Sequence, residues 1–398
     1  MEQLLHRFNP WWTTEFPFPG VPRDIHLKKL LPLADTKDII LLVGMRRVGK
    51  TTLLHQIIHQ LLPCVDPQRV FYVSLDHLGL KDYTILEVVE QFRSITRTKH
   101  SEKIHLFLDE VHMKDNYEIQ LKNLYDEGNA KIYASGSASL DITLSSPHLT
   151  GRQRIFRLPP LSFPEYMEFT GACVSPADKN MYPVLAEEYI KTGGIPEYVL
   201  TKDMDYLQSL VETILYRDVA GRHHVRNRGA LIDILTFTAQ SVGSPISLRK
   251  ISNVLGIPKE IVSKTLDMFL ESNLIHMVER EGKLSERKAS PRKIYLADTG
   301  LFNILTEGVN IGAVVENSVY LALRDKGVVR YHRSSGLEVD FVSCGRAWES
   351  KYKKRIEEKD LAGLQSLRGA KEKTIITYDK EENKDGVNML PLWKLLLQ

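Results

Sequence analysis

Residues Gly44-Met45-Arg46-Arg47-Val48-Gly49-Lys50-Thr51 follow the spacing G-x-x-x-x-G-K-S/T. Glycines there let backbone N–H groups turn inward around a phosphate. The lysine then reaches β- and γ-oxygens, and the threonine hydroxyl ligates Mg²⁺. The helix expected next adds the positive end of its dipole to the same anion. The expected nucleotide-binding set is Gly44, Arg46, Arg47, Val48, Gly49, Lys50, Thr51 and Thr52, with ATP and Mg²⁺ as ligands. Arg46 and Arg47 can close either on the nucleotide or on the acids downstream. Those acids end the apolar run Ile104-His105-Leu106-Phe107-Leu108-Asp109-Glu110. A strand that delivers Asp-Glu at its C-terminal end puts Asp109 on Mg²⁺ through water and Glu110 beside the attacking water.

Two further positions carry open alternatives. Ser135, in Ser135-Gly136-Ser137, can sense a γ-phosphate or simply begin a turn. In Gly151-Arg152-Gln153-Arg154, an arginine can supply transition-state charge in cis or from a neighbouring subunit, Arg152 ahead of Arg154, or be solvated.

A second constellation lies near the C-terminus. Glu316 falls in an expected helix, Asp340 in a strand, and Glu349-Ser350-Lys351 in the next strand. Residues two apart in a strand face the same side, so Glu349 and Lys351 project together, and a hairpin can bring Asp340 beside them. Two carboxylates and a lysine at a strand edge can bind Mg²⁺ and activate water for phosphodiester hydrolysis. The arrangement resembles the PD-(D/E)xK nuclease fold. That resemblance makes Asp340 and Glu349 metal ligands, Lys351 the water-orienting group and Glu316 the helical acid. Such a domain either cuts nucleic acid or persists as an inert scaffold.

These residues need a scaffold. From Asp38 to Ser135 apolar strands alternate with helices, which implies crossover units and a parallel sheet covered on both faces. After the stretch Leu158-Pro159-Pro160-Leu161-Ser162-Phe163-Pro164 only helical periodicity continues, broken at Gly193-Gly194. Residues 230–300 predict three helices and two strands around a charged turn, the winged-helix pattern. From Gly312 onward the order reads helix, strand, strand, helix, strand.

The chain has 398 residues, enough for two or three domains at roughly 100–200 residues each. With 43% hydrophobic and 26% charged residues it reads as globular, not disordered or fibrous. Fifty-three Lys and Arg against 50 Asp and Glu leave a formal charge of +3, so any nucleic-acid footprint must be local. Local candidates are Arg280, Lys283, Arg287, Lys288, Arg292 and Lys293; Arg217, Arg222, His223, His224, Arg226 and Arg228; and Lys351-Tyr352-Lys353-Lys354-Arg355. Each either contacts phosphate or is a solvated face. Three scattered cysteines support neither disulfides nor a CxxC zinc site. No apolar run spans a bilayer and no signal-peptide pattern opens the chain, so a cytoplasmic protein without membrane contact is expected.

The segments GMRRVGKTTLL, LFLDEVH, SGSAS, LTGRQRIFRLPPLSFPEY, TGGIPEYV and KIYLADTGL together resemble archaeal and bacterial AAA+-type ATPases that carry a winged helix and a C-terminal nuclease-like domain. The resemblance runs over nearly the whole chain, from Phe8-Asn9-Pro10-Trp11-Trp12 onward. It implies an α/β fold with an N-terminal segment (1–30), a P-loop AAA+ core (31–164) and a helical lid (165–228). A winged helix (229–300) and a restriction-endonuclease-like domain (311–398) would follow. It further implies Walker roles for Lys50, Thr51, Asp109 and Glu110, and a sensor role near Ser135. The expected function is ATP hydrolysis acting on or with DNA or RNA, with homo-oligomer formation open. The alternative is a nucleotide-dependent switch whose inert C-terminal domain binds a protein partner.

Overall fold

The computed structural model describes residues 1–136, 147–220, 228–308, 310–334 and 336–398. Ser137 and the run Arg222, His223, His224 and Arg226 lie outside the described residues. The chain divides into two compact units, Met1–Pro159 and Pro160–Gln398.

In the first unit β1 (Ile39–Val43), β2 (Val70–Ser74), β3 (Ile104–Asp109), β4 (Ala130–Gly136) and β5 (Gln153–Arg157) form one parallel sheet in the order β2-β3-β4-β1-β5. β1 and β3 are buried along their whole length, as strands covered by helices on both faces must be. Helices Lys50–Leu61, Ile85–Thr96 and Tyr117–Glu127 are the crossovers. Phe71, Val73, Leu106, Leu108, Val88, Phe92 and Leu121 belong to its apolar core. β5 escapes the hydrophobic pattern because Gln153-Arg154-Ile155-Phe156-Arg157 is a half-exposed edge strand. The opposite edge, β2, is covered by the N-terminal segment. Asn9 is fully buried, and its amide pairs with both the N–H (2.7 Å) and the C=O (2.9 Å) of Tyr72. The indole N–H groups of Trp11 and Trp12 both donate to the Val70 carbonyl at 3.1 Å. The motif therefore supplies the missing neighbour of an edge strand.

The second unit begins with helices Phe163–Thr170 and Tyr182–Thr192 and ends with helix Leu392–Leu396. Trp393 stacks on Tyr182 (centroids 4.8 Å apart), so the chain's end closes on this unit's start. Helices Arg228–Gln240, Leu248–Leu255 and Lys259–Glu271 precede the antiparallel pair β6 (Ile275–Val278) and β7 (Lys293–Leu296). The expected turn between those strands contains a short helix, Leu284–Ala289. Helix Ile311–Arg324 then leads into a mixed six-stranded sheet. It contains β8 (Arg330–Ser334), β9 (Leu337–Ser343), β10 (Arg346–Ser350), β11 (Glu372–Thr377), β12 (Glu382–Lys384) and β13 (Val387–Pro391), in the order β12-β13-β11-β10-β9-β8. The hairpin and this sheet are tied by backbone hydrogen bonds: Tyr331 donates to Glu279 (3.1 Å) and Glu281 to Tyr331 (2.7 Å). Among the described residues, no helix is long and apolar enough to cross a membrane.

Candidate functional site

At the C-terminal end of β1 the chain turns through Gly44–Gly49 into helix Lys50–Leu61. Arg47 (φ 67°) and Gly49 (φ 93°) are left-handed there, and a Cβ on Gly44 would collide with the Leu158 carbonyl. The turn therefore depends on a glycine at Gly44 and is easiest for one at Gly49. Lys50 is buried and donates to the carbonyls of Gly44 and Met45, both at 3.1 Å. The Thr51 hydroxyl donates to Asp109 Oδ2 at 2.6 Å.

Asp109 stands on the adjacent end of β3, 2% exposed, with two more hydroxyls on it. Tyr72 donates to Oδ2 at 3.0 Å and Ser135 to Oδ1. Ser135 also accepts the backbone N–H of Glu110 at 3.2 Å, so it fixes both acids at once. Burial, then the charge of Asp109, hold the Tyr72 phenol well above its usual range, which keeps it a donor. Glu110 adopts φ 56° and faces His112 at 3.3 Å. Burial raises its carboxyl pKa despite the opposing charge of Lys50. A hydroxyl and a carboxylate converging beside a buried lysine suit a hard cation bound with a nucleotide. Thr51 and Asp109 would hold Mg²⁺, which when bound neutralises phosphate charge. Thr52 follows on the same helix, exposed, and Val48 is buried beneath the loop.

The arginines sort by register. Ile39 pairs with Gln153 and its N–H donates to the Arg152 carbonyl, so Arg152 stands at the end of β1 opposite the loop. It pairs with Asp126 at 3.3 Å, and Arg154 pairs with Asp38. With about 3.3 Å per residue along β1, Arg152 is too distant to serve its own chain's loop. The arginine level with Val43 is Arg157, which is exposed. Behind the loop is Arg23, which sequence reasoning passed over. It is 2% exposed and donates to the carbonyls of Val48 (3.0 Å) and Pro159 (3.3 Å).

The C-terminal acids also converge. Glu349 Oε2 accepts the Asp340 N–H at 3.2 Å, and Asp340 Oδ2 accepts the N–H (2.9 Å) and hydroxyl (3.0 Å) of Ser350. Lys351 pairs with Glu349 at 2.7 Å. Burial first, then the Asp340 charge, raises both Glu316 and Glu349 to a pKa of about 7. One of the cations assigned to the basic turn does not face outward. Lys293, only 1% exposed on β7, lies 2.7 Å from Glu338, 3.2 Å from Glu316 and 3.4 Å from Asp340. Arg287, Lys288 and Arg292 of the same run gather around Glu279. Among the described residues, no group of three His, Cys, Asp or Glu side chains is arranged to hold a metal ion.

Two other quoted motifs meet in this unit. Asp298 is buried and accepts N–H groups from Gly194 (2.6 Å) and Gly300 (2.8 Å). A Cβ on Gly193 would come within 2.8 Å of the Gly300 Cα, so TGG and ADTG are backbone-to-backbone packing signals.

Residues 36–167 match a family model described as an AAA domain, and residues 184–311 match one described as a domain of unknown function (DUF8612). Uncharacterized protein MJ1544 of Methanocaldococcus jannaschii is 30% identical over 351 residues, covering 82% of this chain and 75% of that protein. The chain belongs to that protein's family. A second member from the same organism, uncharacterized protein MJ1637, is 26% identical over 324 residues, covering 75% of this chain and 68% of its own. Residues 36–167, which hold the five-stranded parallel sheet, are thus an AAA-type P-loop domain. Among solved structures, the Aeropyrum pernix Orc1 protein in complex with DNA is similar at a TM-score of 0.35 and 14% identity. That alignment covers 73% of this chain and 93% of the other.

Proposed function

We propose that this protein binds and hydrolyses ATP at the Gly44–Thr51 loop. The observation that carries the reading is the convergence of Lys50, Thr51, Asp109 and Glu110, with Ser135 bridging the two acids. Lys50 would neutralise β- and γ-oxygens. Glu110, whose carboxyl is made more basic by burial, would take a proton from the attacking water. Ser135 holds these acids in position instead of reaching the phosphate itself. Arg152 would contribute only from a neighbouring subunit of a homo-oligomer.

Lys50→Ala is expected to lose nucleotide binding. Glu110→Gln should keep ATP affinity and hydrolyse at least about a hundredfold more slowly. Equal turnover by wild type and Glu110→Gln would sink the assignment.

In the second unit, three helices followed by a two-stranded sheet support a winged-helix reading. The helix and mixed sheet bearing Glu316, Asp340, Glu349 and Lys351 support a nuclease-like one. The hydrolysis cycle would then act on or with nucleic acid. A specific observation favours the second reading, a switch acting on a protein partner. Helix Lys259–Glu271 exposes Glu260 and Asp267 beside Lys259 and Lys264, with Ile261 48% exposed, and three cations of the basic turn surround Glu279. Stimulation of ATP hydrolysis by DNA or RNA separates the two: a rise supports nucleic-acid work, and its absence supports the switch.

A further inference from the structure

The carboxylates expected to hold a divalent metal do not fit one as they stand, because a cation of the chain is already among them. β7 presents Lys293 and Tyr295, two residues apart and on the same face, to helix Ile311–Arg324 and β9. The Lys293 ammonium is paired with Glu338, Glu316 and Asp340, and Tyr295 donates to Glu316 Oε1 at 2.8 Å. Gly243 closes the Glu316 side: a Cβ there would come within 2.6 Å of Oε2. Asn317, one residue after Glu316, clamps β7 in place by exchanging hydrogen bonds with Leu296 N–H (2.7 Å) and C=O (3.0 Å). Glu349 is meanwhile paired with Lys351.

We propose that Lys293 is the resident cation of this cluster and excludes a divalent ion from it. A catalytic metal site keeps an open coordination position; here that space holds an ammonium on a buried strand. An ammonium needs no coordination geometry and cannot lower the pKa of a bound water as a metal ion does. The cluster therefore fastens the β6–β7 hairpin to the six-stranded sheet and performs no metal-dependent hydrolysis. The inference rests on these ion pairs and not on the ATPase reading, so either can fail alone.

The test uses Mn²⁺ titrated into the full-length, nucleotide-free protein, read by isothermal calorimetry and by the paramagnetic signal of free Mn²⁺. Wild type and Asp340→Asn are expected to give the same Mn²⁺ isotherm. Lys293→Met, close in length but uncharged, leaves the carboxylates facing one another and should gain at least about tenfold in Mn²⁺ affinity, a 1.4 kcal/mol change. The gain should vanish in Lys293→Met/Asp340→Asn. Lys293→Arg keeps the charge and should behave as wild type. Loss of a Mn²⁺ site in Asp340→Asn relative to wild type would overturn the proposal, even if Lys293→Met does not fold. A folded Lys293→Met that gains no affinity would overturn it as well.

Discussion

Tyr72→Phe removes one oxygen from the nucleotide site and almost nothing else. The ring keeps its packing against His55 (centroids 4.2 Å) and Phe8 (6.1 Å), while Asp109 loses one of its three hydroxyl donors. A hydrogen bond to a charged group contributes about 1.5–3 kcal/mol. Thr51 and Ser135 still hold the carboxylate, so the lower half of that range, roughly 1.5–2 kcal/mol, is the expected loss of stability. Urea unfolding read by hydrogen exchange in β1–β4 measures it in this unit alone. A carboxylate held by two donors also aims less well, and kcat for ATP is expected to fall about tenfold, equivalent to 1.4 kcal/mol of barrier. KM should stay near wild type, because the hydrogen bonds of Lys50 to the Gly44 and Met45 carbonyls do not involve the Tyr72 hydroxyl. Stability within about 0.5 kcal/mol of wild type, the usual range of a neutral surface change, together with unchanged kcat, would refute the claim that Asp109 is positioned through Tyr72.

In the second unit, Gly194→Ala would place a Cβ 2.7 Å from the Leu161 nitrogen, backbone that cannot swing away. A loss of about 1–3 kcal/mol or more is expected, read by urea melts of this unit, and a neutral result would remove the packing account of that motif. Asp298 carries a pH dependence: burial raises its pKa from 3.8 to about 6 against the N–H groups of Gly194 and Gly300. A carboxyl with a raised folded pKa binds its proton more tightly when folded. Its stabilisation is therefore full below pH 4 and lost as pH rises toward 6, on the order of 3 kcal/mol. Melts of wild type and Asp298→Asn between pH 4 and 7 should show that slope in wild type and its loss in the variant; parallel curves would contradict it.

What was legible in the sequence was local. The loop, the Asp-Glu strand end and the four alternating strands lie in short contiguous runs, where spacing alone dictates geometry. What was not legible depends on neighbours distant in sequence. Tyr72 reads as an ordinary strand residue, and only the parallel pairing of β2 with β3 brings its hydroxyl to Asp109. Lys293 reads as one more cation beside a basic turn, although Lys293-Ile294-Tyr295-Leu296 has the pattern of a strand with a polar face. β5 is not legible because an exposed edge strand has no apolar run, and without it the level at which Arg152 stands cannot be read either.

The two carboxylate clusters differ in how their charge is met, and that difference bears on what each can do. Asp109 is held by hydroxyls from Thr51, Tyr72 and Ser135, neutral donors that orient a carboxylate without cancelling its charge. A cation arriving with a nucleotide would find that charge intact. Around Asp340 the donors include ammonium groups, Lys293 directly and Lys351 through Glu349, so the attraction that would draw in a divalent ion is already spent within the protein. Both clusters are buried, and burial amplifies each choice: a low-dielectric surrounding strengthens whichever charge partner is present. Sequence spacing supplies the carboxylates in both halves, but only the placement of the nearest cation separates a site ready for a metal from one that has replaced it.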